Sequence, residues 1–163
     1  MPDIVVVLHN IRSTHNVGSI FRTSEGLGVK HIICSGYTPY PRMPRDTRLP
    51  HIVNKLTGQI KKTALGAETM VDFSYSETLD LTSLVASGYK VIGLEQTASS
   101  IPLSTYVPPE KMVLILGEEV RGISPEIVAL CDDLIEITMR GKKESFNVSV
   151  AAGIALYTLT IDS

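Results

Sequence analysis

Short, nearly uninterrupted apolar runs alternate along this chain with longer amphipathic stretches. Ile4 to Leu8, His31 to Cys34, Lys90 to Leu94, Met112 to Leu116 and Leu134 to Met139 are the runs. Apolar residues without alternation predict strands buried on both faces. Between them the spacing becomes helical. Asn16 is placed as an N-cap, Val17, Ile20, Phe21 and Leu27 follow at helical intervals, and Gly28 ends the pattern. Residues 53 to 66 and 76 to 87 predict two more helices. Ser124-Pro125 opens a short capped one through Leu130, and Ser145 to Ile161 predicts a long terminal one. Tyr37 to Pro50, rich in Pro and Arg, and Ser99 to Pro109 predict loops. The alternation predicts one α/β domain over residues 1 to 163, a parallel sheet flanked by helices on both faces. Ligands in such sheets bind beyond the carboxyl ends of the strands, which directs attention to the segments after Leu8, Leu94, Leu116 and Met139.

The composition is that of an ordinary globular protein. Hydrophobic residues make up 44% of the 163 and charged residues 20%, which excludes a largely disordered chain. The longest apolar segment, Val148 to Ile161, falls short of the roughly 18 residues of a membrane span. No basic region precedes the first apolar run, so no signal peptide is expected. Cys34 and Cys131 lie in or beside apolar segments and read as buried, reduced thiols of a cytoplasmic protein. Four unpaired histidines argue against a metal site. The net charge of −2 conceals an asymmetry: residues 1 to 63 carry nine Lys or Arg against three acids, whereas residues 64 to 139 carry three against twelve. The first third could therefore meet an anionic partner, unless folding intermixes the charges.

Four segments carry unusual chemistry. In Asn16-Val17-Gly18-Ser19-Ile20-Phe21-Arg22, a helix places Arg22 among Gly18, Ser19 and Gly26, opposite the apolar stripe. That suits an anion or ribose-phosphate contact, or equally close helix packing with Arg22 on a solvated rim. Leu116-Gly117-Glu118-Glu119-Val120-Arg121-Gly122 is not a phosphate loop, because two glutamates would repel phosphate. They suit a cationic or hydroxyl-bearing ligand, although a plain turn with solvated acids is the simpler reading. Arg140 to Lys143 is basic and leads into Ser145-Phe146-Asn147-Val148-Ser149, where three cap-type residues compete for one cap position. The surplus suggests a site, or redundant capping of a solvated turn with Phe146 in the core. Lastly, Arg42, Arg45, Arg48, Lys55, Lys61 and Lys62, with Tyr37 and Tyr40 nearby, could follow a nucleic-acid backbone or line a solvated loop.

Together these segments resemble the SpoU/TrmH family of RNA 2′-O-ribose methyltransferases, in the SPOUT class. Asn16-x-Gly18-x-Ile20-x-Arg22 is similar to the family's first motif. Leu116-Gly117-x-Glu119-x-x-Gly122 is similar to the second, and Ile137-x-Met139 with Ser145-x-Asn147-x-Ser149 to the third. The resemblance covers roughly residues 4 to 160 and departs at Glu118, Thr138 and Phe146. It implies an α/β-knot fold with a trefoil knot near the C-terminus and a homodimer whose site is completed across the interface. It also implies S-adenosylmethionine as cofactor, held around Leu94, Gly117, Ile137, Met139 and Ser145. The implied catalytic arginine is Arg22, with Asn16, Glu119, Ser145 and Asn147 completing the constellation. The chain has about the length of a bare catalytic domain, so an appended RNA-binding domain is not expected.

The expected reaction is methylation of a ribose 2′-hydroxyl in tRNA or rRNA. Arginine, with a pKa above about 12, is a poor base, so Arg22 is expected to stabilise a developing alkoxide and grip a phosphate. Arg12, Arg42, Arg45, Arg48, Lys142 and Lys143 are the candidate RNA contacts. Competing readings are a knotted methyltransferase acting on a base nitrogen, a non-catalytic RNA-binding module, and a binder of small molecules.

Overall fold

The computed structural model describes residues 1–161. Its elements run β1 (Asp3–His9), α1 (Thr14–Gly26), β2 (His31–Ser35), α2 (Pro50–Ala64), β3 (Phe73–Ser76), α3 (Thr82–Ala86), β4 (Lys90–Leu94), β5 (Ile101–Pro102), β6 (Lys111–Leu116), α4 (Pro125–Val128), β7 (Asp133–Glu136) and α5 (Val148–Ile161). The strands form one seven-stranded sheet in the order β3-β2-β1-β6-β4-β7-β5. Every pairing is parallel.

The apolar runs are explained by two cores. Along β1, Ile4, Val6 and Leu8 point to one face, and Val5 and Val7 to the other. Met112, Leu114 and Leu116 of β6 alternate with Val113 and Ile115 in the same way. Helices α1, α2 and α5 cover the first face, through residues such as Phe21, Ile60 and Leu156. Leu84 of α3 and Ile127 of α4 cover the second. A strand sandwiched this way has no polar side to show, hence the absence of alternation.

Several boundaries differ from the sequence reading. Ser13, not Asn16, caps α1: its side chain accepts from the Asn16 backbone N–H at 3.2 Å. Asn16 is thereby inside the helix with its amide free for other work. Helix α5 begins at Val148 rather than Ser145. Asn147 caps it, its side-chain oxygen accepting from the Ser149 N–H at 2.9 Å while its carbonyl accepts from the Ala151 N–H. Strand β7 stops at Glu136, which places Ile137 and Met139 in the following loop. Strand β5 falls within the predicted loop Ser99 to Pro109, and β3 occupies a stretch where the sequence predicts no element, its last residue, Ser76, lying at the start of the predicted helix 76 to 87. Phe146, expected in the core, is exposed, and Cys131 is only half-buried.

Gly18 settles the choice between helix packing and anion contact at its own position. A Cβ there would lie 2.2 Å from Thr63 Oγ1 and 2.3 Å from the Ile60 carbonyl oxygen. It is buried at the crossing of α1 and α2, where only glycine allows the two backbones this approach.

Candidate active site

Strands β6, β4 and β7 are neighbours in the sheet, and the segments leaving them at its carboxyl end enclose a cleft of about 300 Å³. One part of its lining is apolar: Leu94, Leu116, Ile137, Met139 and Val148. The other is acidic, with Glu95, Glu118, Glu119, Glu136 and Glu144 against Arg121, the one cation among the described lining residues. Leu94, Gly117, Ile137, Met139 and Ser145, the five positions singled out for a cofactor, all line this cleft.

A tight hairpin shapes one wall. The Gly122 N–H donates to the Glu118 carbonyl at 2.9 Å, and the Glu118 N–H returns the bond to Gly122 at 3.1 Å. Gly117 packs on this turn so closely that a Cβ would stand 2.5 Å from the Gly122 carbonyl carbon. Gly122 has φ +68°, and a Cβ there would lie 2.0 Å from Glu95 Oε2. Glu95 is the clamp. Its carboxylate accepts from the Ile123 N–H at 2.7 Å and from the Gln96 N–H at 3.0 Å, joining the end of β4 to the turn after β6. The sequence reading missed Glu95. Its only signal was an acid directly following a buried strand.

At the mouth of the cleft, three remote segments are wired in series. Asn16 Nδ2 donates to Glu119 Oε1 at 3.1 Å, and Asn147 Nδ2 donates to Asn16 Oδ1 at 3.2 Å. Glu119 also accepts from the backbone N–H groups of Arg12 and Ser13, each at 3.3 Å. Partial burial pushes the Glu119 carboxyl up, but the backbone N–H groups and the Asn16 amide outweigh it and hold it below the ordinary value. An ionised carboxylate with this many donors orients its neighbours and is a weak proton acceptor. Beside it, Glu118 pairs with Arg12 at 3.3 Å.

The remaining predicted residues are dispersed. Arg22 is exposed on α1 and does not line the cleft of its own chain. Lys142 and Lys143 are exposed in the loop before α5. Arg42 is exposed and donates to the Asn54 side chain. Arg45 is exposed at φ 57°. Arg48 is half-buried, and its donors are occupied by Asp46 and by the carbonyls of Tyr40 and Pro41. Among the described residues, no group of three or more His, Cys, Asp or Glu is placed to hold a metal ion. None of the described helices is long and apolar enough to cross a membrane.

A parallel sheet with its cleft beyond the carboxyl ends of adjacent strands defines an α/β ligand-binding protein. The family is specific: the SpoU rRNA Methylase model matches residues 3–157, and the chain belongs to that family. It is 29% identical over 157 residues to the 23S rRNA (guanosine-2′-O-)-methyltransferase RlmB of Acinetobacter baylyi, covering 94% of this chain and 58% of that protein. It is 26% identical over 158 residues to the tRNA (guanosine(18)-2′-O)-methyltransferase of Aquifex aeolicus, covering 95% and 67%. The chain thus spans less than three-fifths of the RlmB relative's length. The crystal structure of an AdoMet-bound rRNA methyltransferase from Sinorhizobium meliloti superposes with a TM-score of 0.78 at 23% identity, over 96% of this chain and 55% of that one. The A. aeolicus TrmH/SpoU tRNA modifying enzyme superposes with a TM-score of 0.77 at 24% identity, over 98% and 75%. At such identities the likeness is one of fold.

Proposed function

We propose that this chain is the catalytic domain of an S-adenosylmethionine-dependent methyltransferase acting on a ribose 2′-hydroxyl of tRNA or rRNA. The observation that carries the reading is the series Glu119–Asn16–Asn147, which joins all three motifs at the mouth of one cleft.

The cleft suits the cofactor on chemical grounds. Its volume of about 300 Å³ is that of a small-molecule site. Leu94, Ile137 and Met139 offer apolar surface to a purine, Gly117 lets backbone approach closely, and the carboxylates complement a sulfonium and an ammonium. When bound, the cofactor supplies an electrophilic methyl group. The chain contributes position and electrostatics: Ser145 lines the cleft, and Asn16 ties Asn147 to Glu119 at its mouth. Arg22 grips the phosphate next to the target ribose and stabilises charge developing on its oxygen.

The reading includes a homodimer. Arg22 stands outside its own cleft, and a second copy supplies it. In support, α5 and its approach expose Phe146, Val150, Tyr157 and Ile161, an apolar set that solvent alone does not explain. It also includes a trefoil knot formed by the last third of the chain, supported by the order β6-β4-β7 with α5 returning to pack on α1. A cytoplasmic location is part of the reading, in keeping with cysteines Cys34 and Cys131 that form no disulfide.

The test is transfer from labelled S-adenosylmethionine to unmodified tRNA and rRNA, followed by digestion to nucleosides, with Arg22→Ala as control. Label on ribose, lost in the variant, is the expected result. Label on a base would replace this reading with the base-nitrogen one, and cofactor binding without transfer to any RNA would reject it.

A further inference from the structure

Beside the acidic cleft lies a second depression of opposite character. It is a wider groove of about 690 Å³ between the start of α1, the loop after β2 and the exposed side of α2. Among the described residues no carboxylate lines it, whereas Arg12, His15 and Lys55 do, together with Gln59 and Tyr37. The wall between groove and cleft is the Arg12-Ser13 backbone, which Glu119 holds from the cleft side.

The floor of the groove is rigid. Tyr40 is stacked on Tyr75 at 4.1 Å, and the Arg48 guanidinium lies 3.6 Å from the centre of the Tyr40 ring on top of its bonds to Asp46. Thr38 is pinned between the Ile11 N–H at 3.0 Å and the Leu8 carbonyl at 2.8 Å. Tyr40 and Arg48 are therefore structural. Tyr37 is different: the residue is 51% exposed, and the Arg12 guanidinium, paired with Glu118, lies 5.6 Å from the centre of its ring. It is an aromatic face open to a stacking partner.

We propose that this groove binds an unpaired stretch of the RNA flanking the target nucleotide, with a base stacked on Tyr37 and phosphates met by Lys55 and Arg12. The proposal rests on the methyltransferase reading above and names where its substrate lies. The sulfonium cofactor is cationic and RNA is anionic, and the two adjoining depressions divide along that line. An aromatic face between cations selects unpaired bases over a duplex, whose bases are already stacked. Lys55 and Gln59 share a helix face, so the path extends along α2.

The test is fluorescence anisotropy with labelled dodeca-adenylate and, separately, a labelled RNA duplex of equal length, with cofactor affinity measured in parallel by calorimetry. Tyr37→Ala should weaken binding of the single strand about tenfold, and Tyr37→Phe should restore it. Lys55→Glu should weaken it and reduce the slope of log affinity on log salt by about 0.7 or more. Both variants should keep wild-type cofactor affinity, and the duplex should bind more weakly than the single strand. Single-strand binding unchanged in both variants would overturn the groove while leaving the methyltransferase reading intact. A wild-type protein that binds the cofactor but neither RNA would overturn both.

Discussion

Asn16 and Glu119, 103 residues apart in the chain, are joined by a hydrogen bond of 3.1 Å in which the amide donates to the carboxylate. The other end of the same amide accepts from Asn147. One side chain thereby sets the register of two loops that leave different strands. Asn16→Ala removes both bonds. Methyl transfer should fall by about 10²-fold, since misplacement of reacting groups carries penalties of that order. The Glu119 carboxyl should also titrate higher, because the Asn16 amide is one of the donors holding it down. An NMR titration of Glu119 in both proteins checks this, and an unchanged value would show that the bond contributes nothing in solution.

Glu95 lines the cleft and braces its wall. In Glu95→Ala the Ile123 N–H loses its 2.7 Å acceptor, a loss of about 1–3 kcal/mol for an unsatisfied group. Cofactor affinity should fall about tenfold or more on that scale, with Glu95→Gln recovering much of it because one acceptor oxygen remains. Calorimetric titration of the cofactor into the three proteins is the check.

The position of Arg22 outside its own cleft makes a complementation experiment decisive. Arg22→Ala keeps an intact cleft. Gly117→Val destroys the cleft, since even a Cβ would meet Gly122 backbone at 2.5 Å, but keeps Arg22. Each variant alone should be inactive. Co-refolded at equal amounts, they should recover about a quarter of wild-type activity, because half the dimers hold one complete site. No recovery would place Arg22 in the same chain as the cleft it serves.

Two glycines should respond to the same substitution with opposite sign. Gly58 lies inside α2 with nothing within 4 Å of an added Cβ, so Gly58→Ala should stabilise by up to about 1 kcal/mol through helix propensity. Gly18→Ala should destabilise by about 1–3 kcal/mol, because its methyl would force α1 away from the Ile60 carbonyl. Urea denaturation of both variants decides.

Asp46 supplies a pH dependence of known sign. The Arg48 side chain bonds its carboxylate at 2.6 Å and holds its pKa well below the ordinary 3.8. A group depressed on folding stabilises fully above its unfolded value and loses that contribution as pH falls through the folded one. Asp46→Asn should therefore unfold at lower temperature than wild type at pH 7, and the difference should narrow as pH drops below 3.8. A constant difference across that range would show that the charge is not what matters.

The amino-acid sequence by itself determined the buried strands β1, β4 and β6, the parallel α/β architecture and the segments after β6 and β7 that line the cleft. Burial on both faces forces an unbroken apolar run, and the loops after such runs have nowhere to go but the ligand-binding end of the sheet. Edge strands escape this rule. Phe73–Ser76 is only half-buried and Ile101–Pro102 is exposed, so neither carries a distinctive pattern. Tertiary structure alone chose Asn147 among the competing caps of α5 and moved the cap of α1 from Asn16 to Ser13, because what decides is which N–H lies within reach of the side chain. It alone separated Arg48, enclosed by Asp46 and two carbonyls, from Arg45, which is exposed three residues away. It alone placed Glu95 behind the turn after β6. Each of these is a contact between residues whose types a sequence displays but whose distances it does not.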